Sequence, residues 1–458
     1  MTAKPRSTWT SKTAFILAGA ASAVGLGNVW RFPYLAAKYG GGTFLLCYIL
    51  FLFTFGVSLL LLETALGRKT GKSAIAAFKE YGKKYAFIGI LASAIPLIIT
   101  CYYCVIGGWV TKYAATYILG GGADLAADPA TAFSTFITSP IESFAWAGIF
   151  TGAVVLVVAL GVEKGIEKSN LIMMPLLIVL AVGIAIFTLA QPGAMEGAAY
   201  YLIPDFSKIS PELLIAVLGQ LFYSMSLAMG IMITYGSYAK KETSLTHSTC
   251  QIAGFDFGVS LLAGLMIIPA AFVGLGGGDA IAAKAGPSLM FVTLPAVFAE
   301  MGWIGNFIGG AFFILVFFAA LTSAISLAET IVSIICDGLK CTRKKALIIL
   351  IGYFVVTVTI VNMGYNKLSF IEPLGAGSSI LDFMDFLSNT VMMPIVAILT
   401  CIFVGWIIKP KEIIDEVRIS SKFRAAKAWT VMIKYIAPVL IAVILVSYCA
   451  AQFGLLTI

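Results

Sequence analysis

Charge is scarce in this chain. Only 11% of its 458 residues are Asp, Glu, Lys or Arg, where a soluble domain carries roughly a quarter. Together with 60% hydrophobic residues, that shortage excludes a soluble globule. Histidine is scarcer still: His247 stands alone, so a histidine-based metal site or catalytic dyad has nothing to be built from. The cysteines (Cys47, Cys101, Cys104, Cys250, Cys336, Cys341, Cys401 and Cys449) are scattered, mostly inside apolar runs. That is the pattern of buried thiols and not of a disulfide framework. No nucleophile-and-base pair stands out, so an enzyme is not expected. The first twelve residues lack a cleavable signal pattern, and the first apolar run is expected to persist in the protein.

Long apolar sequence is what the chain has in abundance. Its runs are continuous over about 18 residues or more, whereas membrane β-strands alternate over roughly ten. The expectation is an all-α membrane protein with eleven spans, near residues 13–37, 42–67, 86–118, 144–161, 170–190, 212–239, 244–275, 302–336, 346–362, 378–408 and 429–452. Basic residues gather in alternate connections, notably Arg68 to Lys84, Lys340 to Lys345 and Lys409 to Lys427. The positive-inside rule then sets the N-terminus in the cytoplasm and the C-terminus outside. The net charge of +8 describes that cytoplasmic face and needs no nucleic-acid partner; the partner is the lipid bilayer.

Spans one and six are poor helices at their centres. The first contains Gly19, Gly25 and Gly27, each costing about 1 kcal/mol relative to alanine, followed by Asn28, Arg31 and Pro33. The sixth carries Gly219, Gln220, Ser224, Ser226 and Gly230 at membrane depth. Small residues at helix interfaces would account for one such span. Two, five spans apart, fit a five-plus-five inverted repeat in which a discontinuous helix opens each half. The halves then cover about 12–190 and 212–408, with an additional helix at about 429–452, all within one transporter domain, 1–458. No residue-level repeat is visible between them, so placement and composition carry this reading.

A break at mid-bilayer frees carbonyls and amides that lipid cannot satisfy. Half-helix N-termini suit an anion and unwound carbonyls a cation, so a zwitterion with sodium fits both. Asn28, Ser224, Asp256, Thr322 and Ser323 offer hard oxygen ligands, with no thiolate or imidazole cluster. Four acids lie within apolar runs, Glu63, Asp256, Glu329 and Asp385, and each is a functional candidate because an unpaired intramembrane carboxylate is costly. Asp256 is the strongest; Glu63 and Glu329 fit structural hydrogen bonding equally well; Asp385 needs a cation, and Arg31 is the obvious partner.

These motifs carry a resemblance. AVGLGNVWRFPYLA with GGGTF, GQLFYSMSLAMGIMITYGSY and FFAALTSAIS together resemble the neurotransmitter:sodium symporter family, in its bacterial amino-acid-transporting branch, from Arg6 to the end of span eleven. The resemblance implies a leucine-transporter-type fold in a bacterial plasma membrane, and sodium-coupled import of an amino acid by alternating access. It implies two sodium ions and no organic cofactor. One ion would bind the Ala23 carbonyl, Asn28, Ser224 and Asp256; the second, carbonyls of Ala21, Val24 and Ala319 and hydroxyls of Thr322 and Ser323. The substrate backbone would lie against Ala23, Leu26, Gly27, Tyr103 and Ser224, and its side chain against Ser22, Ile99, Tyr223, Ser226, Met229, Ser323 and Leu327.

The resemblance also implies two gates. Arg31 and Asp385 would close the outside above a lid of Tyr103 and Tyr223. Arg6 and Asp337 would close the inside, with Trp9 nearby. An exposed pair is worth only about 0 to 1 kcal/mol, which suits a latch that breaks every cycle. Gly25 stands where monoamine carriers have an aspartate, so the ligand must bring its own carboxylate. Asp256 is expected to supply the negative charge that chloride supplies in animal relatives, making transport chloride-independent. Ala228 in place of a glycine stiffens the span-six break, and Met229 is adaptable, so a neutral hydrophobic or aromatic amino acid is expected. The alternative is a sensor of the same fold that binds without transporting. Oligomeric state has no signature in the sequence.

Overall fold

A computed structural model describes residues 8–275 and 288–456. Among them the chain is helical, with no strand beyond one isolated bridge between Gly41 and Pro204. Nine helices are long and apolar enough to cross a bilayer: Gly42–Thr70, Lys83–Ile118, Pro140–Ala159, Val162–Leu189, Leu245–Val273, Trp303–Leu339, Arg343–Met363, Ile380–Ile407 and Ala426–Gln452. Span one is a bent pair, Lys12–Ala23 and Gly27–Lys38, meeting at 56°. Span six is two shorter helices, Pro211–Ser224 and Ile231–Gly236. Counting each broken pair once, the expected eleven are present among the described residues, with the expected breaks in one and six.

Spans one, three, six and eight form the middle of the bundle. Span eight is the most enclosed of the long helices, and spans four, nine and eleven show most of their surface outward. Short helices unforeseen in the sequence fill the connections, at Gly122–Ala127, Pro129–Thr138, Ala194–Leu202 and Leu294–Glu300. They bury Leu125, Phe136, Tyr201 and Phe298 respectively. The cysteines are all unpaired, but only Cys101, Cys104 and Cys401 are fully buried, and Cys250 is exposed. The expectation of buried thiols holds for these three; an apolar run predicts contact with lipid as readily as with protein.

The two breaks have different local causes. At span one, Val24 leaves the helix in an extended conformation (ψ 110°), and the chain re-enters a helix at Gly27. At span six, Ser226, Ala228 and Gly230 all take positive φ, 53°, 62° and 74°. Left-handed backbone costs a residue with a β-carbon about 1–2 kcal/mol, so two of these three positions are held there by their surroundings.

Candidate functional site

Polar side chains, one from span one itself and the others from distant spans, pair with backbone freed at the span-one break. The Gly25 amide donates to Asn28 Oδ1 at 2.9 Å and the Leu26 amide to the Tyr103 hydroxyl at 3.4 Å. Ser226 Oγ donates to the Ser22 carbonyl at 2.8 Å, Ser323 Oγ to the Val24 carbonyl at 3.1 Å, and Gln220 Nε2 to the Gly27 carbonyl at 3.0 Å. Ser22 Oγ also meets Ser226 Oγ at 3.0 Å, so the breaks of spans one and six face each other. A mended break of this kind is stable in hydrocarbon because its polar groups have partners inside the protein.

All twelve residues expected to hold substrate (Ser22, Ala23, Leu26, Gly27, Ile99, Tyr103, Tyr223, Ser224, Ser226, Met229, Ser323 and Leu327) line one small cavity of about 50 Å³ between these breaks. Tyr223 closes over Gly27 so tightly that a β-carbon there would stand 2.6 Å from the ring. At Gly25 a β-carbon would stand 2.8 Å from Ser323 Oγ and 3.1 Å from the Tyr103 hydroxyl. A side chain at Gly27 would have to displace the Tyr223 ring, and one at Gly25 would have to turn the Ser323 hydroxyl away.

Three of the four expected ligands of the first ion, Asn28, Ser224 and Asp256, are joined in one buried network. Asn28 Nδ2 donates to Asp256 Oδ1 at 2.8 Å and to Ser260 Oγ at 2.9 Å. The Tyr48 hydroxyl donates to Asp256 Oδ2 at 2.5 Å and lies 2.9 Å from Ser224 Oγ. For the second ion, Ser323 Oγ reaches the carbonyls of Val24 and, at 3.5 Å, Ala21, while Thr322 Oγ1 lies 3.1 Å from the Ala319 carbonyl. Both sets are all-oxygen, as a hard cation requires, and no cluster of three or more His, Cys, Asp or Glu is present among the described residues.

The outer pair differs from expectation. Arg31 and Asp385 line one vestibule of about 360 Å³ above the cavity, but among the described residues they form no ion pair. Arg31 instead places its guanidinium 5.0 Å from the centre of the Tyr223 ring. Asp385 Oδ1 accepts from the Tyr102 hydroxyl at 3.0 Å and from Asn389 Nδ2 at 2.6 Å. Each charge has a neutral partner. At the opposite end, Trp9 is buried, donating from its ring to the Tyr235 carbonyl at 3.0 Å. Asp337 Oδ2 accepts the Ser73 amide at 2.8 Å; Arg6 lies outside the described residues.

Four groups at the site had not been assigned to it from sequence: Tyr48, Gln220, Asn389 and Glu63. Glu63 Oε1 accepts the Ala228 amide in the middle of the span-six break at 2.6 Å. Its acid in an apolar run was a usable signal; its proximity to the break was not. Glu329 is structural by its contacts, accepting from the Tyr238 hydroxyl at 2.9 Å and pairing with Arg343.

Comparison with known proteins agrees with this architecture. The family model for the sodium:neurotransmitter symporter family matches residues 6–119 and 144–455. An uncharacterized sodium-dependent transporter of Haemophilus influenzae is 35% identical over 97% of this chain and 98% of its own. One of Bacillus subtilis is 35% identical over 96% of this chain and 97% of its own. Among solved structures, that of MhsT in complex with L-phenylalanine superposes with a TM-score of 0.85 and 35% identity, covering 96% of this chain and 99% of that one.

Proposed function

Since this chain belongs to the sodium:neurotransmitter symporter family, and is thus a sodium-dependent, multi-pass membrane transporter and not an enzyme, we propose that it imports a neutral hydrophobic or aromatic amino acid by alternating access. The carrying observation is the pair of facing breaks, Ser22 against Ser226, enclosing a cavity that is oxygen-lined at one wall and apolar at the other. The substrate carboxylate is taken by the Leu26 and Gly27 backbone and the Tyr103 hydroxyl. Its side chain enters among Ile99, Met229 and Leu327. An aromatic side chain needs more room than about 50 Å³, which Met229 supplies by changing rotamer. The solved complex of MhsT with phenylalanine, similar along nearly the whole chain, supports this substrate class.

Two sodium ions accompany it, one at Ala23, Asn28, Ser224 and Asp256, the other at Ala21, Val24, Ala319, Thr322 and Ser323. Asp256 brings a fixed negative charge, so chloride is not needed. Residues about 12–190 and 212–408 form the inverted halves, and 429–452 an added helix, in a bacterial plasma membrane with the N-terminus inside. Arg31 and Asp385 meet only when the vestibule closes.

A scintillation-proximity screen of the twenty amino acids, with and without sodium, tests the reading. Sodium-dependent binding confined to charged or very small amino acids contradicts it. Counterflow in proteoliposomes separates a transporter from a sensor, which would bind substrate without exchanging it.

A further inference from the structure

The loop entering span eleven carries cations without acidic partners. On the same end of the bundle Arg68 and Lys241 both pair with Glu416, and Lys69 pairs with Glu412. Lys422 and Arg424 are exposed and form no ion pair among the described residues. They stand at the rim of a groove of about 480 Å³, walled by Phe53, Val57 and Leu61 of span two and Ala428, Trp429 and Met432 of span eleven. A second hollow of about 310 Å³ adjoins it, sharing Lys422 and Arg424 and adding Arg418. No acidic residue lines either.

The groove has a built wall. Trp429 Nε1 donates to the Ser58 carbonyl at 3.0 Å, and the Phe423 ring stands edge-on to Trp429 at 5.9 Å. Three of the wall's hydroxyls are turned back into their own helix, Thr54 Oγ1 donating to the Leu50 carbonyl at 2.7 Å, Ser58 Oγ to that of Thr54 at 2.5 Å and Thr249 Oγ1 to that of Leu245 at 2.9 Å, and the fourth, Thr246 Oγ1, meets Ser421 Oγ at 3.1 Å. The interior therefore offers hydrocarbon, and the rim offers positive charge. Free phosphate would leave the apolar volume unused, and a zwitterionic lipid would set its ammonium against the cationic rim.

We infer that this groove holds one anionic phospholipid, with an acyl chain between spans two and eleven and its phosphodiester between Lys422 and Arg424. Basic pockets beside membrane helices suit anionic head groups, and two such cations are worth about 30-fold in affinity, or about 2 kcal/mol. The site lies apart from the substrate cavity, and the inference does not depend on which amino acid is carried.

Native mass spectrometry of the full chain, delipidated in neutral detergent and titrated with phosphatidylglycerol or phosphatidylcholine of identical acyl chains, tests it. One phosphatidylglycerol should be retained at concentrations where phosphatidylcholine is not. The double variant Lys422→Gln/Arg424→Gln should lose about 30-fold in that affinity, while Lys422→Arg/Arg424→Lys keeps it. Ala428→Trp, which fills the groove, should weaken both lipids. Elution profile and melting temperature report whether each variant is folded. Equal binding of the two lipids, an undiminished preference in the charge-removed variant, or displacement by inorganic phosphate with no effect of Ala428→Trp overturns the assignment.

Discussion

Glu63 and Ala228 are bound carboxylate to amide, at 2.6 Å, so an acid of span two holds the middle of the span-six break. Ala228 sits there at φ 62°, a backbone region that a β-carbon disfavours by about 1–2 kcal/mol. Ala228→Gly is expected to raise stability by about 1 kcal/mol, because relief of strain exceeds the added freedom of the unfolded chain. Glu63→Leu should lower both stability and sodium-dependent binding, by leaving the amide unpaired. Melting temperatures in detergent decide this; a lower value for Ala228→Gly would show that no strain is held at that position.

Asn28 and Ser323 anchor opposite ends of the span-one break, the first through Asp256 and the Gly25 amide, the second through the Val24 carbonyl. Asn28→Ala and Ser323→Ala should each weaken sodium-dependent substrate binding at least tenfold, more than either reduces expression. Binding isotherms at varied sodium check this, and sodium dependence equal to the parent's in both variants would remove the ion assignments.

Gly25→Asp is expected to abolish binding and not to convert the chain into an amine carrier. A β-carbon at Gly25 already meets Ser323 Oγ at 2.8 Å, so the new side chain displaces a proposed ion ligand before its charge can serve an amine. Amine binding by this variant, measured by competition, would count against that packing argument.

With Asp256 in its proposed role, uptake should be indifferent to replacing chloride with gluconate. Tyr48→Phe removes the donor to Asp256 Oδ2, and losing a hydrogen bond to a buried charged group costs about 1.5–3 kcal/mol. A roughly tenfold or larger loss in sodium affinity is expected, read in proteoliposomes. Collapse of the parent's uptake in gluconate contradicts the role given to Asp256.

The groups missed in sequence share one property. Tyr48 meets Asp256 across 208 positions, Gln220 meets the Gly27 carbonyl across 193, and Asn389 meets Tyr102 across 287. Each contact joins residues on different spans, so nothing in the neighbouring sequence identifies the partner. Asn28 and Ser224 were legible because they lie in the two spans that are poor helices, and Asp256 because it carries charge within a lipid-length run; Gln220 was noted in the same span but had no visible partner.

Sequence alone was enough for the membrane, the eleven spans and the two breaks. Lipid demands about 20 apolar residues per crossing and penalises glycine-rich centres, and both are local rules written in neighbouring residues. Tertiary structure decided which side chains mend the breaks, that Glu63 holds span six, and that Arg31 rests on Tyr223 while Asp385 turns to Tyr102 and Asn389. Those outcomes depend on which helices stand side by side, and a carboxylate or guanidinium takes whichever partner packing brings within reach.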